Sequence, residues 1–152
     1  MKIDWSGRSH NYTNKEINFL SKIIKYADPL TQGVYLKKFE KIFSKYINKK
    51  NVFAVSSAAS ALEIIALLLK LKKNDEIIIP AHTYCATAIP FARQGCKIVW
   101  SDINFKTRVV DIKDIEKKIT PKTKAILIVH LYGYAADFKK LSKFCKKKKI
   151  KI

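Results

Sequence analysis

Glycine is scarce in this 152-residue chain, with only four residues, and nowhere does it form the Gly-Lys-Ser/Thr ending of a Walker loop or a GxGxxG turn. Cysteine is scarcer still: Cys85, Cys96 and Cys145 are odd in number and make no CxxC pair. That argues against a disulfide framework or a zinc site and for a reducing, cytoplasmic setting. His10, His82 and His130 are too scattered for a local metal motif, so no metal is expected. No apolar run reaches the roughly 18 residues of a membrane span; the longest candidate, Ala125 to Ala136, is broken by His130 and Gly133. The opening MKIDWSGRSH carries no apolar core of a secretory signal. Acidic residues are few, 12 against 31 basic ones, for a net charge of +19. Such an excess suggests an anionic partner. Yet lysine dominates over arginine, is spread over every predicted helix, and is not interleaved with stacking aromatics as single-strand binders require. A biased genome composition explains the charge better, the run Lys146 to Lys149 reads as a solvated helix end, and neither nucleic acid nor membrane is expected as a partner.

What is present is an apolar fraction of 48% and a change of pattern near residue 51. Thr13-x-x-Glu16 has the spacing of a capping box, in which each side chain satisfies a free amide at a helix start. A helix is predicted to about Tyr26, with Ile17, Leu20, Ile24 and Ala27 on one face, stopped by Asp28-Pro29. A second follows the Thr31-Gln32-Gly33 turn, from Tyr35 to Tyr46, with Leu36, Phe39, Phe43 and Tyr46 at helical spacing. Residues 1–50 thus read as an arm and two helices appended to a main domain. From residue 51 to 152, strands alternate with helices. Strands are predicted at Val52–Val55, Glu76–Ile79, Lys97–Trp100 and Ala125–Val129, with another opening at Ile150. Helices are predicted at Ser60–Leu71, Thr83–Gln94, Ile112–Ile119 and Asp137–Lys147. Pro90 should kink or split the second of these, Asp111 and Asp137 are candidate N-caps, and Gly95 a candidate C-cap. Short apolar strands separated by helices imply an α/β fold with a mostly parallel sheet flanked by helices.

In open α/β sheets ligands bind beyond the carboxyl ends of the strands. The loops there carry Ser56 and Ser57, then His82, Thr83 and Tyr84, then Ser101 and Asp102, then His130, Tyr132 and Gly133. The first loop opens a helix whose free amides and positive dipole end favour an anion such as phosphate. Ser60-x-x-Glu63 could equally be a capping box that needs no ligand. Tyr84 is either a platform for an aromatic ring or a core residue, His130 either a catalyst or, more often at such a place, a hydrogen-bonded packing residue, and Asp102 either a ligand or a turn residue.

In order and spacing these segments resemble the DegT/StrS family of pyridoxal-phosphate-dependent sugar aminotransferases. The resemblance rests on Ser57-Ala58-Ala59-Ser60-Ala61-Leu62, Asn74-Asp75-Glu76-Ile77-Ile78-Ile79-Pro80, Thr83-Tyr84-Cys85-Ala86-Thr87, Ile119 to Ile126, and Val129 to Asp137. Thr31-Gln32-Gly33 and Phe39-Glu40 match earlier family signals. It implies the large domain of a fold-type-I enzyme, here incomplete, acting as a homodimer on a nucleotide-linked keto sugar with an amino-acid donor, usually glutamate. By the same resemblance Ser57, Ala58, Ala59 and Ser60 would hold the phosphate of pyridoxal 5'-phosphate, Tyr84 would stack on its ring, and His130 would face the substrate. Two departures stand out. Ala59 occupies a position where the family has Thr or Ser, and the family's E-D-A aspartate and cofactor-bonding lysine would fall beyond Ile152. The chain therefore reads as an N-terminal fragment, with no catalytic residue assigned within it and no activity expected alone. A dehydratase of the same family and a non-catalytic basic binding remnant are the alternatives.

Overall fold

The computed structural model describes residues 11–152, so the arm predicted for Met1 to Tyr12 lies outside the described residues apart from its last two positions. The chain divides into two compact units, Met1–Ala54 and Val55–Ile152. No helix among the described residues is long and apolar enough to cross a membrane.

The first unit contains α1 (Asn14–Tyr26) and α2 (Val34–Ile47). The capping box at the start of α1 is formed: the Glu16 amide donates to Thr13 Oγ1 at 3.3 Å and the Thr13 amide to Glu16 Oε2 at 2.8 Å. Gly33 caps α2, and a side chain there would collide with the Pro29 carbonyl. Neither helix buries a residue; Ile24 and Tyr46 of the two apolar stripes are 69% and 84% exposed. Phe39, Phe43 and Tyr46 instead run as a ladder along α2, with ring centroids 5.7 and 6.1 Å apart. The strand predicted at Val52–Val55 is not formed. A strand needs a hydrogen-bonded neighbour, and here the Ala54 amide donates to the Glu40 carboxylate at 2.9 Å while Phe53 is exposed.

The second unit is built on β1 (Glu76–Pro80), preceded by α3 (Ala58–Leu68) and buried at all five positions. β1 pairs in parallel on one side with β2 (Lys97–Ser101) and on the other with β3 (Thr123–Ile126), giving the order β2-β1-β3. Both pairings need crossovers. The first is the short helix α4 (Ile89–Arg93), the second α5 (Ile112–Lys118). The predicted helix Thr83–Gln94 is split, with a tight 3₁₀ turn at Cys85–Thr87 and α4 beyond, because Pro90 has no N–H to donate and is tolerated only in a first helical turn. Gly95, at φ +78, takes the left-handed turn that carries the chain into β2. β3 is shorter than predicted and slips register against β1 between Glu76 and Ile77. After α6 (Phe138–Lys148), the predicted strand at Ile150 is present as one parallel bridge, Lys151 to Ala125.

Alternation along β1 divides the core. Ile78 packs with Ile126, Val110, Ile115 and Leu141 on one face, whereas Ile77 and Ile79 pack with Ala66, Phe91 and Cys96 on the other. Burial raises the Cys96 and Cys145 thiols above their ordinary pKa, which keeps them protonated and inert. At the amino end of β1, Glu76 is 5% exposed yet charged: the Thr120 hydroxyl donates to its carboxylate and Lys97 Nζ lies 3.3 Å away. The Thr120 hydrogen bond foremost, aided by Lys97 and Lys122, outweighs burial and holds its pKa below the ordinary 4.5. A carboxyl depressed by folding stabilises the native state above its unfolded pKa and loses that contribution as pH falls through the lower folded value. Thermal stability should therefore drop as pH is lowered from 6 through 4.5 and below, and Glu76→Gln should flatten that drop. An unchanged acid limb in the variant, measured by circular dichroism melts, would show that Glu76 is not its source.

Candidate functional site

Three parallel strands place three exits on one edge of the sheet. A fourth segment joins them, because α3 leads back to the amino end of β1 through the short connection 69–75, where the Lys72 amide is tied to Asp75 at 2.8 Å. α3 must therefore run against β1, with its own amino end at the carboxyl edge. Two contacts agree with this direction: α3 touches the Cys85–Thr87 turn, and Glu63 pairs with Arg93 of α4 at 2.8 Å.

Ser57 rather than Ser60 is the N-cap of α3. It sits in extended conformation, and its hydroxyl accepts from the Ser60 amide at 3.1 Å. The helix starts before the predicted Ser60, so the Ser60–Glu63 capping box does not form; Glu63 is spent on Arg93. Ser60 instead points its hydroxyl back to the turn, 2.9 Å from Ser56 Oγ and 3.0 Å from Ser57 Oγ. Three hydroxyls and the free amides of a helix start converge here, at the surface. An anion at this point would meet hydroxyl donors and the positive end of the helix dipole without a buried charge to repel it. Ala58 and Ala59, in the first turn of α3, contribute backbone only.

The exit from β1 carries Tyr84, which is 75% exposed, so the core alternative is excluded. Its turn is closed by Thr83 and Thr87, whose hydroxyls lie 2.8 Å apart. His82 meets Tyr132 edge to face at 6.0 Å, joining the exits of β1 and β3. Tyr132 holds a left-handed backbone, φ 52 and ψ 29, a conformation that non-glycine residues rarely adopt. Exposed His130 accepts from the Ala136 amide through Nδ1 at 3.1 Å. That bond assigns the proton of the neutral ring to Nε2, leaving Nε2–H as the free donor.

The exit from β2 is structural. Ser101 was a pocket candidate in sequence, but it is fully buried and donates to Asp114 Oδ2 at 3.1 Å. Asp102 is a turn residue: its carboxylate accepts its neighbour Ile103's amide at 2.8 Å, and its own amide donates to Asp114 at 2.7 Å. Asp114 also holds Lys118 at 2.7 Å. Burial pushes its carboxyl up, but the Lys118, Asp102 and Ser101 hydrogen bonds together hold it below its ordinary pKa. Asp114 was invisible in sequence because it acts on a loop 12 residues away; only its i, i+4 spacing to Lys118 was there to be read.

A parallel sheet flanked by helices, with a serine-lined helix start and an exposed tyrosine at its carboxyl edge, makes this an α/β domain whose exit edge is open to a ligand. The family model for the DegT/DnrJ/EryC1/StrS aminotransferase family matches residues 11–152, and the chain belongs to that family. A Bacillus subtilis 3-oxo-glucose-6-phosphate:glutamate aminotransferase is 38% identical over 92% of the chain, and a Yersinia pseudotuberculosis GDP-4-keto-6-deoxy-D-mannose 3-dehydratase 36% over 99%. The chain spans 32% and 39% of those two proteins. Among solved structures, a Bacillus subtilis protein with bound cofactor PMP matches with TM-score 0.83 and 37% identity, over 91% of this chain and 32% of its own. An Escherichia coli GDP-4-keto-6-deoxy-D-mannose-3-dehydratase with bound hydrated PLP matches with TM-score 0.87 and 29% identity, over 99% and 40%. The fold is thus that of the fold-type-I pyridoxal-phosphate enzymes.

The cap makes a measurable claim by itself. Ser57→Ala should cost about 0.5–2 kcal/mol of stability, read from urea unfolding, whereas Ser56→Ala, which caps nothing, should cost less. Equal losses would contradict the assignment of Ser57 as the cap.

Proposed function

We propose that this chain is the cofactor-phosphate portion of a pyridoxal-phosphate-dependent aminotransferase acting on a nucleotide-linked keto sugar, with glutamate as amino donor, the full-length enzyme working as a cytoplasmic homodimer. The observation that carries the reading is the convergence of the Ser56, Ser57 and Ser60 hydroxyls at the amino end of α3, on the sheet edge that also carries Tyr84. When bound, the cofactor supplies an electron sink through which an amino group is moved. The chain's own residues bind and orient it. The hydroxyls and the amides of 57–59 would receive the phosphate, and Tyr84 would lie flat against the ring. His130, its Nδ1 engaged by Ala136, would offer Nε2–H to an oxygen of the sugar substrate.

Ala59 leaves one hydroxyl fewer at the phosphate than the family pattern provides. None of the lysines of residues 11–152 stands in a family-like context for bonding the cofactor, so the chain alone is proposed to bind it without catalysis. The dehydratase reading keeps its place because the E. coli dehydratase matches over nearly the whole chain; the two activities share this portion of the fold.

Three substitutions test the site by titration of cofactor fluorescence. Ala59→Thr should tighten pyridoxal phosphate by roughly two- to tenfold, one ordinary hydrogen bond. Ser57→Ala and Tyr84→Ala should weaken it, the latter by the ~0.5–1.5 kcal/mol of a lost stacking contact. Borohydride reduction of the mixture should leave no stoichiometric label at a single lysine. Unchanged affinities, or such a label, would refute the corresponding part of the proposal.

A further inference from the structure

One residue at the exit edge is at odds with its own backbone. Leu131 to Tyr134 close a turn, with the Tyr134 amide donating to the Leu131 carbonyl at 3.0 Å. Both central residues take positive φ, Tyr132 at 52 and Gly133 at 83. That is the pattern of a type I′ turn, which Asn-Gly fills without strain and which a large side chain at its first central position opposes. Other non-glycine residues in the left-handed region have a local reason: Asn48, Lys70 and Lys149 stand where helices end, and Asn74 is of a type that tolerates it. Tyr132 is the one aromatic residue among the described residues in this conformation. Burial does not offset the strain, because Tyr132 is 76% exposed, and its ring meets His82 edge to face at 6.0 Å. The fold gains little from a tyrosine here. Strain held at an exposed side chain points to a ligand outside the fold.

The surroundings select the kind of ligand. Residues 127–136, LIVHLYGYAA, hold no charged residue in a chain of net charge +19, so the turn itself does not draw a phosphate. What it offers is the face of the Tyr132 ring, the His82 imidazole beside it, and the free Nε2–H of His130 at the start of the same loop. The negative π face of an aromatic ring attracts the weakly positive C–H bonds of a saturated ring, and imidazole nitrogens bond hydroxyls. A pyranose presents both, a C–H face and a rim of hydroxyls. β1 and β3 are neighbours in the sheet, so this wall stands beside the Tyr84 turn. We infer that Tyr132 is a specificity-determining residue: the sugar ring of the substrate lies against its phenol face, with His82 and His130 bonding its hydroxyls. The inference rests on the nucleotide-sugar reading above, and adds to it the surface that tells one sugar from another.

The probes are GDP-mannose and, lacking the sugar, GDP, each added with pyridoxal phosphate to the full 152-residue protein and followed by saturation-transfer NMR. Transfer to the pyranose protons of GDP-mannose is expected. Tyr132→Asn should cut it by roughly threefold or more, the loss of one stacking contact, while Tyr134→Asn in the same turn leaves it intact. The melting temperature of Tyr132→Asn should hold or rise, because Asn-Gly suits the turn. A clear fall would make the ring part of the fold and overturn the inference. So would the absence of transfer to the sugar, transfer confined to the guanine, or transfer unchanged in Tyr132→Asn. Cofactor fluorescence is titrated in parallel: a sugar signal that depends on Tyr132 without any cofactor binding would strike the cofactor reading and leave Tyr132 in its role.

Discussion

Parallel pairing on both sides of β1 is the constraint from which the second unit follows. A strand hydrogen-bonded left and right, and covered above and below, offers no position to water, and Glu76 to Pro80 are all buried. Parallel neighbours cannot be reached by a tight turn, so each must be fed through a crossover. The crossovers bring every strand exit to one edge and every entry to the other. At the entry edge the chain accepts a buried carboxylate, Glu76, because Thr120 and Lys97 complete it. At the exit edge polar side chains stay in water: the serines before α3, Tyr84 and His130. The two edges thus differ in kind, one holding the sheet together and the other free to meet a ligand.

Hydrogen bonding sorts the exit edge further. Ser101 and Asp102 face inward to Asp114, which fixes the end of β2 but removes both from any ligand. Ser56, Ser57 and Ser60 face one another at the surface, and the Ala136 amide leaves His130 one free donor. The same residue types therefore serve opposite ends, and only partners distinguish them.

Much of this was legible in sequence, and the exceptions share a cause. The capping box at Thr13 and Glu16, the caps Asp111 and Asp137, and the strands at Glu76 and Lys97 are local signals that the fold leaves untouched. The split at Pro90 was also local, since a missing N–H permits few outcomes. Misreadings arose where a distant partner decides. Val52–Val55 has strand composition but no strand beside it among the described residues. Ser60-x-x-Glu63 has capping spacing, but Arg93, 30 residues away, takes the glutamate. Tyr84 could be placed on the surface only once its loop was seen. Family resemblance carried further than spacing because it encodes those distant partners.

The central claim is that the turn before α3 receives the phosphate of pyridoxal phosphate. Its most direct measurement compares amide chemical shifts on adding pyridoxal phosphate, inorganic phosphate and unphosphorylated pyridoxal in turn. Shifts at 57–61 should appear with the first two and not the third, with the Tyr84 turn responding only where a ring is present. If 57–61 stay silent with pyridoxal phosphate, or respond equally to pyridoxal, the turn is a helix cap and nothing more.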